Sequence, residues 1–197
     1  MSHYFINDPN LKSQERVYHI NFANQPFEFT TDKGVFSQDG LDFGSELLLK
    51  EVQIKPETKT LLDVGCGVGV LGIILKKLNP GLEVTMSDVN LRALSLAKKN
   101  AQKNQIDAKI IESNLYEHID DKFDLIISNP PIRAGKKIIY TLYSDAIKHL
   151  NAGGELWIVV RKQQGAKSTI EFLKTRYDQV DVVARDKGFY IIKSKKN

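Results

Sequence analysis

Residues 61–72 read Leu61-Leu62-Asp63-Val64-Gly65-Cys66-Gly67-Val68-Gly69-Val70-Leu71-Gly72. An apolar strand runs into three alternating glycines and then into an apolar helix start. Asp63 stands at the strand's end, and the glycines follow at every second position. Without a Cβ, they let a ligand lie against the backbone where strand becomes helix. The first amides of that helix have no intrahelical acceptor and point toward such a ligand. The stretch therefore predicts a nucleotide-like binding loop at the end of a buried strand.

Outward from this loop, strands and helices alternate. Residues 68–78 carry an apolar helical stripe (Val68, Leu71, Ile74, Leu75, Leu78), which Asn79-Pro80-Gly81 ends. A strand over 83–87 closes at Asp88, and Asn90 can cap a helix that buries Leu91, Leu94, Ala97 and Ala101. Strands are expected at 109–111, 123–128 and 155–160. Helices are expected at 137–150, burying Ile138, Leu142 and Ala146, and at 166–177, with Gly153-Gly154 as a break. The turn Asp186-Lys187-Gly188 joins two last strands, and the basic end after Lys193 is expected to fray. This order implies an α/β chain with a mostly parallel, doubly wound sheet and an antiparallel C-terminal hairpin. Before it, 17–31 alternate as a β-hairpin and Gly44-Ser45 start a short helix. We expect one domain over 1–197, with 1–55 an extension and 56–197 the core.

Composition restricts the class of function. The 197 residues are 42% hydrophobic and 26% charged, ordinary for a soluble globular protein, and no apolar run approaches a bilayer span. One cysteine forms no intrachain disulfide and there is no signal pattern, so a cytoplasmic location is expected, with no membrane partner. The net charge of +4 suits a nucleic-acid partner without requiring one. Four scattered histidines show no metal-ligand spacing, and Asp120-Asp121 reads as a turn, so no metal is expected.

Two readings of the loop compete. Gly67-x-Gly69-x-x-Gly72 matches a dinucleotide fingerprint, with Asp88 about twenty residues on. That register begins too late, because the strand stops near Val64 and Gly72 falls inside the helix. Asp63-x-Gly65-x-Gly67-x-Gly69 begins where the strand stops. This pattern resembles motif I of the class I S-adenosylmethionine-dependent methyltransferases, whose fold is Rossmann-like with a seven-stranded sheet. By that resemblance Gly65, Cys66, Gly67 and Gly69 border the cofactor, with Cys66 a small packed residue. Asp63 orders the loop or meets the cofactor's amino group, and Asp88, followed by Val89, accepts the ribose hydroxyls. Asn114, followed by Leu115, stands where an acid often contacts the adenine.

Residues 123–132 end in Asn129-Pro130-Pro131-Ile132 and resemble the Asn-Pro-Pro-aromatic motif of methyltransferases acting on amides and exocyclic amines. The chemistry fits, since a delocalised amine becomes nucleophilic when Asn129 Oδ1 and the Pro130 carbonyl accept its hydrogens. Pro131 fixes the backbone that aims them. Upstream, Gly34-Val35-Phe36-Ser37 and Leu41-Asp42-Phe43-Gly44-Ser45 with Leu47-Leu48-Leu49 resemble the segment before motif I in the small-domain ribosomal RNA guanine-N2 methyltransferases. There it closes over the cofactor, which would put Phe36 and Asp42 at the pocket.

The chain departs from the pattern where Ile132 replaces the stacking aromatic, leaving Tyr140, Phe36 or Tyr143 as substitutes, and where Asn114 replaces an acid. The better-known rRNA members also carry an extra N-terminal copy of the domain, for which 197 residues leave no room. Arg133, Lys136 and Lys137 would put positive charge beside Asn129, against the helix dipole, where an RNA backbone would pass. The expected activity is methyl transfer to an exocyclic amine of RNA, most specifically guanine N2 of ribosomal RNA or a ribosomal subunit. The competing readings are methylation of a protein glutamine or of adenine N6, a cofactor-holding assembly factor without catalysis, and, more distantly, an oxidoreductase.

Overall fold

The structure is a computed structural model that describes residues 12–35, 40–130 and 135–197. Phe36, Pro131, Ile132 and Arg133 lie outside the described residues.

Strands β1 (Arg16–Phe22) and β2 (Gln25–Thr31) pair antiparallel as the expected hairpin. Its turn is Ala23-Asn24, both at positive φ (50° and 60°), and Pro26 lies inside β2 opposite Asn21. Helix α1 (Phe43–Glu51) follows, capped by Asp42 through Ser45 N at 3.1 Å. The main sheet comprises β3 (Thr60–Val64), β4 (Glu83–Asp88), β5 (Lys109–Glu112), β6 (Phe123–Ser128), β7 (Leu150–Arg161), β8 (Gln179–Asp186) and β9 (Phe189–Lys195). Their spatial order is β5-β4-β3-β6-β7-β9-β8, parallel from β5 to β7 and antiparallel at β7-β9-β8. The order reverses at β3, so the ends of β3, β4 and β6 face one crevice.

Helices α2 (Val70–Leu78), α3 (Leu91–Lys103), α4 (Lys136–Asp145) and α5 (Ala166–Lys174) cover the sheet. One apolar cluster joins α1, α2 and α3 to one face and to β2; a second joins α4 and α5 to the other. Asn100 of α3 fastens the hairpin: it accepts from Thr30 N (2.7 Å) and donates to Thr30 O (3.0 Å) and to Val68 O in the glycine loop (2.9 Å).

Four expectations need correction. Leu91 is 50% exposed because it opens α3 at its solvent end, and Leu94, Ala97 and Ala101 carry the buried face. Ile138 is 41% exposed, since α4 turns Leu142 and Tyr143 inward instead. Gly153-Gly154 does not break the chain but lies within β7, which starts at Leu150; the register against β6 shifts between Phe123 and Leu125, and Gly154 has no room for a Cβ beside Asn151 O and Phe123 O (2.9 and 3.1 Å). The basic end is held, with β9 running to Lys195 and Lys196 Nζ donating to Ile147 O and Leu150 O.

Candidate active site

The glycine loop leaves β3 with Gly65, Gly67 and Gly69 all at positive φ (70°, 56° and 88°). Gly65 N and Cys66 N donate to Ser87 O at 2.8 and 2.9 Å, which clips the loop to the end of β4. The outer two glycines serve different ends. A Cβ on Gly65 would meet nothing within 4 Å, so its face is open to a ligand; one on Gly69 would press on Ile73 at 3.0 Å and Ala97 at 3.3 Å. Gly72 is a packing glycine, since a Cβ there would sit 2.6 Å from Met86 Sδ.

Below the loop, Asp63 is wholly buried and its Oδ2 accepts from Gly72 N at 3.0 Å, so it ties the strand to helix α2. Burial pushes its carboxyl up to about 7; the Gly72 amide opposes this and the Asp88 charge adds to it. Asp88, at the end of β4, accepts from Gly67 N through Oδ2 (2.8 Å) and from Asn90 N through Oδ1 (2.9 Å). It thereby holds loop and helix α3 together. Cys66 is buried, and that burial raises its thiol well above the usual range, so it is a packed, unreactive residue.

Val89 is half-buried just beyond Asp88. Ser113 N donates to Asp88 O (3.0 Å), which brings the end of β5 alongside. There Asn114 is exposed, its Nδ2 on Glu117 Oε1 at 2.8 Å, and Leu115 takes a positive φ of 55°.

Two buried polar atoms around this cradle, Asp63 Oδ1 and Ser87 Oγ, make no hydrogen bond among the described residues. Together with the open face at Gly65, they fit a polar, nucleoside-bearing cofactor such as S-adenosylmethionine.

The Asn129-Pro130 segment stands at the neighbouring strand end. Ser128 Oγ donates to Val64 O at 2.7 Å, locking the end of β6 to the end of β3. Asn129 follows, half-buried, and its Nδ2 donates to Asp42 Oδ1 (3.1 Å) and Ser45 Oγ (2.9 Å). Asp42, expected at the cofactor pocket, is thus seen on Asn129 and on the N-terminus of α1. Pro130 is buried and borders a cavity of about 320 Å³ lined also by Lys136, Tyr140, Ser168 and Thr169. Of the candidate stacking rings, Tyr143 is only 1% exposed and offers no face. Tyr140 is half-buried in that cavity, with Lys136 Nζ over its ring at 5.3 Å. Lys137 is exposed on the same turn.

Two residues escaped the sequence reading. Ser45 read as a helix start, and nothing local announces that its hydroxyl meets a side chain 84 positions away. Tyr18 read only as strand alternation, yet its buried hydroxyl has no partner among the described residues. Burial raises the Tyr18 pKa and the Asp42 charge raises it further, so the N-terminal hairpin reaches the same corner.

The methyltransferase small domain family model matches residues 26–193. The chain is 44% identical over 98% of its length to the uncharacterized protein YbxB of Bacillus subtilis, and covers 98% of that protein. It is 47% identical over 64% of its length to the ribosomal RNA small subunit methyltransferase C of Photorhabdus laumondii, and spans 38% of that relative. In fold it is similar to the 16S rRNA N2 G1207 methyltransferase of T. thermophilus, solved with AdoMet and guanosine; the TM-score is 0.85 at 22% identity, covering 96% of this chain and 52% of that one. The chain belongs to the methyltransferase small domain family, on the class I S-adenosylmethionine-dependent methyltransferase fold.

Proposed function

We propose that the protein transfers a methyl group from S-adenosylmethionine to an exocyclic amine of RNA, with guanine N2 of ribosomal RNA as the acceptor. The observation that carries the reading is Asn129, whose Nδ2 is committed to Asp42 and Ser45, which leaves Oδ1 as the atom to accept from an amine, at a strand end locked to that of β3 by Ser128.

The residues divide the work as follows. The glycine loop and Asp88 form the cradle for the donor, which when bound supplies an electrophilic methyl on a sulfonium. Asn129 Oδ1 and the Pro130 carbonyl accept the two hydrogens of the acceptor amine. That draws its lone pair out of conjugation and toward the methyl, so orientation supplies much of the rate. Tyr140 offers a ring near Pro130 where Ile132 lacks one, and Lys136 and Lys137 supply charge for a phosphate backbone. The relatives named for ribosomal RNA methylation support RNA as the substrate class, and a subunit as its source.

Asn129→Ala tests the assignment. It should abolish labelled methyl transfer to RNA, a loss of about a hundred-fold or more, while cofactor affinity holds. Transfer near the wild-type rate would remove Asn129 from the chemistry.

A further inference from the structure

Asparagine is an ambiguous catalytic group. Its carboxamide oxygen and nitrogen are nearly the same shape, and rotating the group by half a turn exchanges an acceptor for a donor. An Asn129 turned the wrong way would aim N–H at the N–H of an amine, and no activation would follow. Something must hold the orientation, and the fold supplies it from 87 residues away.

Asp42 Oδ1 and Oδ2 lie 3.1 and 3.4 Å from Asn129 Nδ2, and Ser45 Oγ lies 2.9 Å from it. A carboxylate has no hydrogen to give, so an inverted Asn129 would press oxygen against oxygen. Serine alone would not exclude the inversion, since its hydroxyl can donate as well as accept. The carboxylate makes the choice one-way.

Asp42 is itself fixed. It accepts from Ser45 N at 3.1 Å as the cap of α1, where the helix dipole favours its charge. Helix α1 is pressed onto the sheet at Gly44, where a Cβ would come within 3.0 Å of both Phe189 and Val159.

We propose that Asp42 is a positioning residue: it fixes the Asn129 carboxamide with Oδ1 toward the acceptor amine and, through Nδ2, polarises that oxygen as the amine gains positive charge. This rests on the catalytic reading of Asn129 given above. Asp42 takes no proton and touches neither substrate nor reacting atoms. Its effect is electrostatic, a charge behind an amide dipole whose front faces the charge developing in the transition state.

Asp42→Asn is the discriminating variant. Asparagine caps a helix as well as aspartate, so stability is kept, but one of the two atoms facing Asn129 Nδ2 becomes a donor. The expected result is kcat lowered by about ten- to a hundred-fold, with KM for RNA, Kd for S-adenosylmethionine and Tm essentially unchanged. Added to Asn129→Ala, it should cost nothing more, because the group it acts through is gone. In the cofactor-free protein, the Asn129 side-chain amide hydrogens should exchange slowly and do so much faster in Asp42→Asn, a reading independent of turnover.

A raised cofactor Kd with kcat intact would show that Asp42 serves the cofactor pocket and overturn the proposal. So would a further loss in the Asn129→Ala background, or unchanged amide exchange. If Asn129→Ala is inactive while Asp42→Asn is fully active, only the role of Asp42 falls. If Asn129→Ala itself transfers at the normal rate, the catalytic reading falls first and this one with it.

Discussion

The Asp63 carboxyl lies under the glycine loop with no exposure, one oxygen on Gly72 N and the other without a partner among the described residues. Its folded pKa of about 7 stands above the ordinary 3.8. The native chain therefore holds a proton there that the unfolded chain releases, and stability falls as pH rises from about 4 to about 7, then levels. Asp63→Asn needs no ionisation. Measured by thermal unfolding without cofactor, it should match the wild type near pH 4 and exceed it above pH 7, on the order of 2–4 kcal/mol. A constant difference across that range would show that folding leaves the Asp63 pKa at its ordinary value. The sequence made Asp63 and the glycines legible because they are contiguous and obey one local register. It hid the partnership of Asp42 with Asn129, because a side-chain contact across 87 residues leaves no mark on either neighbourhood.

Elements were read where a single period governs burial. Strand β6 is apolar from Leu125 to Ile127 because both its faces are covered there, and its observed bounds, Phe123–Ser128, are those expected. Misreadings came where local and tertiary preferences part, as with Gly153 and Gly154, which break a helix on propensity but lie inside β7, where Gly154 passes close to backbone. The hairpin β1–β2 was legible as a hairpin, but not its docking on α3, which depends on Asn100. That side chain satisfies Thr30 N, Thr30 O and Val68 O within a wholly buried site. Asn100→Ala should therefore cost about 2–4 kcal/mol by denaturant titration and weaken cofactor binding through Val68, since buried groups lose their partners. A loss under ~0.5 kcal/mol would mean that the remaining contacts, among them Asn104 on Glu28 N and Glu28 O, hold the hairpin without Asn100.

Across the whole molecule, the ends of β3, β4 and β6 carry the glycine loop, Asp88 and Asn129 to one crevice, and α4 opens beside it with Lys136 and Lys137 exposed. Charge on that turn opposes the helix dipole and gains nothing from it. Replacing both lysines with alanine should weaken RNA binding and reduce the slope of log K against log salt by about 1.5–2, leaving cofactor affinity unchanged. An unaltered slope would take phosphate contact away from α4. The chain spans 38% of the ribosomal RNA methyltransferase it matches, so the substrate is what most needs direct measurement. The protein should be given labelled S-adenosylmethionine with total RNA and ribosomal subunits from cells lacking it, and the modified nucleoside identified. Label in N2-methylguanosine is the predicted result; label only in protein, or in a different nucleoside, would contradict the account.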